Sequence, residues 1–186
     1  MVFVYRVRSA AMDENPTGGR VALAAEGVAN VSTGLPVLDH LVTELARAGR
    51  FKLALEVAPG GADEAVVAAG RTLGTEFGER IAAKGAAGRG WSLVPADEAL
   101  ALAALERAPE PRLVTNVDFS DQRVGGLGTD VASRFLNEFA QAAGVNLHVR
   151  LVEGTDPQHV LAAIFKAVGA ALGQACRPVP ETKEDS

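Results

Sequence analysis

Two stretches of this chain, Asp63–Gly74 and Gln158–Gly169, align without a gap at an offset of 95 residues. Upstream of them, "LARAGRFKLALEV" sets beside "FAQAAGVNLHVRL" with matching Ala and Gly positions once an extra residue is allowed at Arg50. A chain that repeats itself at this distance folds as two copies of one supersecondary unit, neither of which buries its apolar face alone. The expected fold class is therefore α+β. Two tandem repeated halves, about 1–92 and 93–186, form one domain, and each half is a small mixed sheet covered by two helices.

Local patterns fill in the units. "VFVYRVRS" alternates and is rich in Val and aromatics, so Val2–Ser9 reads as a strand, followed by a turn at "MDENPTGG". "RVALAAEG" reads as a second strand ending at Gly27, and "VANVSTGLP" as a loop. Val37, Leu38, Leu41 and Leu45 recur at helical spacing, and Gly49 stops that helix. "FKLALEV" alternates as a strand, and a long helix follows, with Asp63 and Glu64 in its first turn. The second half runs in the same order, with a helix at "TDVASRFLNEFAQAAG" capped by Thr129 or Asp130. A strand at "VNLHVRLVEG" and a last, Ala-rich helix headed by Gln158–His159 complete it. "PADEALALAALERA" is open: propensity favours a helix over 95–108, whereas Leu100, Leu102 and the alanines between them also permit a strand.

Composition excludes several classes. A net charge of −5 offers no clustered basic footprint for nucleic acid. A lone cysteine, Cys176, precludes an intramolecular disulfide and a Cys-rich zinc site and reads as a small buried residue. No apolar run reaches the ~18–20 residues of a membrane span, and the first residues lack a signal-peptide pattern. The expectation is a cytoplasmic protein with neither membrane nor nucleic-acid partners. "RVGGLGTD" lacks the Lys-Ser/Thr of a phosphate loop and reads as a turn before a helix.

Three segments, "STGLPVLDHL", "VPADEAL" and "NLHVRLVEGTDPQHVLAAIFKAVGAAL", occur in an order and at spacings that resemble the imidazoleglycerol-phosphate dehydratase family. The resemblance runs from about Val4 to Lys183. It implies a duplicated α/β unit with four strands and two helices per half, trimers assembled into 24-subunit shells, and metal sites where subunits meet. It also implies a lyase that removes water from imidazole glycerol phosphate, with two Mn²⁺ ions holding the imidazole as Lewis acids.

Each half of a family member opens its second helix with His-His-x-x-Glu, a pattern that sets imidazole and carboxylate ligands near one metal pair. Here the second motif reads Gln158, His159, Val160, Leu161, Ala162, and the first reads Asp63, Glu64, Ala65, Val66, Val67. His40 in "LDHL" and His148 in "NLHV" also fall on family ligand positions. Three of the eight ligand positions implied by the resemblance are thus still histidine: His40, His148 and His159. Asp63 and Glu64 stand in place of histidines, either as oxygen ligands or as complements to the helix dipole.

The resemblance extends to the substrate-facing residues. Asp97 and Glu98 match the family's carboxylates near the active site and are the candidate catalytic pair. Arg89 is a shifted counterpart of the Arg in the family's Arg-Phe-Gly. Lys166 is a phosphate ligand or a solvated helix charge, and Thr182 and Lys183 match the family's Pro-Ser-Thr-Lys phosphate loop. Pro16 stands where the family has Glu, and Glu110 stands where it has a phosphate-facing Arg. Two functions follow. The first is a divergent copy with weakened or lost dehydratase activity that keeps the fold and homo-oligomeric surface and binds a small phosphorylated, imidazole-type ligand. The second is an active carbon–oxygen lyase with a rearranged metal site.

Overall fold

A computed structural model describes residues 17–118, 123–124 and 127–179. The strand expected at Val2–Ser9, and Pro16, Thr182 and Lys183, lie outside the described residues. The first half holds β1 (Gly18–Leu23), β2 (Val28–Ser32), α1 (Pro36–Gly49), β3 (Phe51–Glu56) and α2 (Ala62–Ile81). The second holds β4 (Arg89–Ala96), β5 (Ala99–Arg107), β6 (Arg112–Thr115), the short ribbon β7 (Arg123–Val124) and β8 (Leu127–Gly128), α3 (Thr129–Ala143), β9 (Val145–Glu153) and α4 (Pro157–Ala175).

Both main sheets are mixed and share one plan. In the first, β3 is central, antiparallel to β1 and parallel to β2. In the second, β9 is central, antiparallel to β5 and parallel to β6, and β4 adds an antiparallel edge beyond β5. The second sheet begins at Arg89, so the chain passes between halves in the loop before β4. The helices lie between the sheets: α1 packs on β2 and α4, α2 on β1 and α3, α3 on β6, and α4 on β4 and β5. Phe51, Phe77, Phe139, Phe135 and Phe165 touch in series with centroid separations of 4.8, 5.6, 6.3 and 5.5 Å, linking the halves through the helix layer.

Two expectations change and one open reading closes. The segment read as a loop after Gly27 contains β2, whose Val28, Asn30 and Ser32 are exposed and leave only a weak alternation. The expected turn gives way earlier than read, since β1 starts at Gly18. The open segment at 95–108 is the end of β4, a turn at Asp97–Glu98 and β5: Ala99, Ala101, Ala103 and Leu105 are buried, so the small inward side chains let α4 lie close on the sheet.

The extra residue allowed at Arg50 is not there. Arg50 and Gly144 both adopt left-handed backbone (φ 56° and 69°) between a helix and the central strand, so the halves run in step to that point. The one-residue difference falls later, between the start of each central strand and the helix after it.

Candidate functional site

The start of α4 is built by its own sequence. Asp156 caps it, its Oδ1 accepting the backbone N–H of Gln158 at 2.8 Å and of His159 at 3.4 Å, and Pro157 occupies the first turn. This fixes His159 against the tip of the β4–β5 hairpin, a two-residue turn made of Asp97 and Glu98. Asp97 takes left-handed backbone there (φ 50°), a conformation that Asp tolerates better than most residues.

Glu98 joins hairpin and helix. Its Oε1 accepts the backbone N–H of Asp156 at 3.0 Å and of Thr155 at 3.4 Å, and its Oε2 accepts Nδ1–H of His159. The backbone N–H of Asp156, then the imidazole, pull the Glu98 carboxyl down to about 2. The hydrogen bond to Glu98 and the negative charges of Glu98, Asp97 and Asp156 raise His159 above its ordinary value, against some desolvation. Asp97 Oδ2 lies 3.5 Å from His159 Nε2, so both ring nitrogens face carboxylates.

His159, Asp97, Gln158 and Lys166 line one cleft of about 520 Å³ together with His40 and Glu44 of α1. Asp39 sets the start of α1 by accepting Thr33 N–H at 2.9 Å and the Thr33 hydroxyl at 2.6 Å, which holds the exposed His40 at the cleft. Lys166 lies 3.5 Å from Glu44, pairing α4 with α1. The sequence-derived residues His40, His159, Asp97 and Lys166 therefore meet, with Glu98 behind them.

Asp63 and Glu64 do not join them. Asp63 pairs with Arg134 of α3 at 3.1 Å, and Glu64 Oε2 accepts the Gly61 backbone N–H at 3.3 Å, closing the N-terminus of α2. Sequence reading missed Arg134. Running the halves in step would have found it, because Arg134 in α3 takes the place of His40 in α1.

His148 is also elsewhere. It is exposed on the outer face of β9 and lines a separate groove of about 790 Å³ with Arg89, Trp91 and Asn146. Cys176 is buried, and desolvation pushes its thiol up to about 12, which leaves it inert at neutral pH.

A dinuclear cation centre needs several free donors converging on each ion. Among the described residues, no three His, Cys, Asp or Glu side chains form a group able to hold a metal ion. His159 has each ring nitrogen directed at a carboxylate, Glu64 caps its helix, and His148 faces away on a sheet. The side chains of one chain do not fit the two-metal centre implied by the sequence. No described helix is long and apolar enough to cross a membrane.

The chain is similar to known proteins in both sequence and fold. The profile of the family Imidazoleglycerol-phosphate dehydratase matches residues 33–172. The imidazoleglycerol-phosphate dehydratase of Pelobacter propionicus is 34% identical over 184 residues, covering 95% of this chain and 94% of its own. That of Desulfitobacterium hafniense is 36% identical over 170 residues, covering 87% and 84%. The crystal structure of the Staphylococcus aureus enzyme superposes with a TM-score of 0.78 at 25% identity, covering 88% of this chain and 99% of that one.

Proposed function

Since the chain belongs to the imidazoleglycerol-phosphate dehydratase family of histidine biosynthesis, we propose that it is a divergent copy whose dehydratase activity is weakened or lost. One observation carries this reading: both helix starts that would open with His-His-x-x-Glu serve other ends. At α2, Asp63 is tied to Arg134 and Glu64 to the helix terminus. At α4, only His159 of the motif retains an imidazole, and Glu98 holds it. Removing several donors from a two-metal site removes affinity, because each remaining bond must then be made by water or a poorer ligand.

Purified protein incubated with Mn²⁺ is expected to retain far fewer than two ions per chain by elemental analysis, and to leave imidazole glycerol phosphate unchanged. Stoichiometric loading together with elimination of water would refute the proposal. A second reading, an active lyase with a rearranged metal site, draws on the cleft that His40, His159 and Asp97 share. It requires that loading and turnover both occur and that both fall with His40→Ala, so the same assay separates the two.

A further inference from the structure

Apart from His40, the cleft between α1 and α4 is lined by two basic side chains, and each already faces a carboxylate. His159 lies between Asp97 and Glu98 at one end. Lys166 stands two turns further along α4, so it enters the same cleft from the same helix face. On α1, Glu44 stands one turn beyond His40. The two helices pack directly on each other, which brings Glu44 Oε2 to 3.5 Å from Lys166 Nζ.

Glu44 differs from a solvated surface acid. Its side chain is 14% exposed, against 32% for Lys166 and 63% for Arg47. Its Oε1 accepts from Arg47 Nη1 at 3.0 Å, and its Oε2 meets Lys166 on the cleft side. Taking a carboxylate this far out of water costs free energy unless cations stay beside it. The exposed Arg47 is the weaker of the two, because solvent screens it. An anion entering the cleft must therefore take the Lys166 ammonium from Glu44 and then lie against the displaced carboxylate. Asp97, which also lines the cleft, adds a second negative charge against it.

We propose that Glu44 sets the charge selectivity of this cleft: it acts as a built-in anion for Lys166 and closes the cleft to phosphorylated ligands. Its role is to select ligands by charge and not to take part in a reaction. The inference deepens the reading of the chain as a divergent copy, and rests on that reading for the class of ligand refused. A cleft that turns phosphate away loses its hold on imidazole glycerol phosphate as well as on metal. The two fail separately: Mn²⁺ loading with turnover decides that reading, whereas phosphate affinity in EDTA decides this one.

Inorganic phosphate titrated calorimetrically into the protein in EDTA at neutral pH is expected to bind Glu44→Gln about tenfold or more tightly than the native chain, through one uncompensated ammonium. Glu44→Ala, which removes the carboxylate altogether, should show the same gain. Lys166→Met alone should leave phosphate affinity at the native level, because its ammonium is already matched. Combined with Glu44→Gln it should erase the gain, which separates Lys166 from the freed Arg47. Equal affinity or equal absence of binding in the native protein and both Glu44 variants would overturn the inference. So would a gain that survives Lys166→Met, or a loss of native affinity on Lys166→Met alone. Circular dichroism checks that each variant is folded.

Discussion

At the scale of single residues, the contact between His159 and Glu98 sets a pH window. The Glu98 carboxyl lies below its ordinary 4.5, so its contribution to stability is complete above that value and is lost as pH falls toward about 2. His159 lies above its ordinary 6.5, so its contribution is complete below that value and is lost as pH rises through the folded value. The two coexist fully between 4.5 and 6.5. Thermal melts of the native protein and His159→Gln should therefore differ most inside that window and converge in mildly alkaline buffer. A gap that widens from roughly pH 7 to pH 9 would contradict this origin. Both side chains are solvent-accessible, so the effect is confined to the hairpin tip and the first turn of α4.

At the scale of elements, the helix pairs approach closely because glycines face them. A Cβ on Gly169 would sit 2.1 Å from the Leu45 carbonyl oxygen, and one on Gly74 would sit 2.6 Å from that of Phe139. The backbone atoms met there cannot swing aside as a side chain would. Gly169→Ala is expected to cost about 2–3 kcal/mol by forcing α1 and α4 apart. Chemical denaturation measures this, and an unchanged midpoint would mean that the helices can separate freely.

The elements legible in the sequence were those with a wide apolar stripe or a clean alternation, α1, β3, α2, α3, β9 and α4, together with most of β1, which ends at Leu23 rather than Gly27. β2 escaped because an edge strand with one half-buried face carries little pattern, as Val28, Asn30 and Ser32 show. β5 was ambiguous because its inward residues are alanines, whose helix propensity is overridden by the close lie of α4. Of the candidate residues picked out by sequence, His40, Asp97, His159 and Lys166 share one cleft. How the rest divide was not legible: the contact of Glu98 with His159 spans 61 residues and depends on the hairpin tip reaching α4, while the outward side of β9 carries His148 away.

At the scale of the molecule, the two halves repeat even their ion pairs. Lys166–Glu44 joins α4 to α1, and Arg71–Glu138 at 2.6 Å joins α2 to α3 at the equivalent places. The equivalent helix ends have diverged: one cleft keeps His40 and His159, while the other holds Arg134 and Asp63 closed on each other. We propose that this affects assembly, because a shell fastened by metal bridges between subunits needs donors at both ends of the repeat. Light scattering should find a trimer or smaller particle, and a 24-subunit particle unchanged by EDTA would count against it.

Arg177 has a further bearing on how the molecule is made. Its guanidinium donates to the carbonyl oxygens of Gly49, Arg50 and Gly173 at 2.9, 3.0 and 2.6 Å and lies 5.7 Å above the Phe51 ring. In chain order it follows every helix and strand it fastens. A growing polypeptide thus leaves the end of α1 unfastened until α4 has been made in full and Arg177 has followed it.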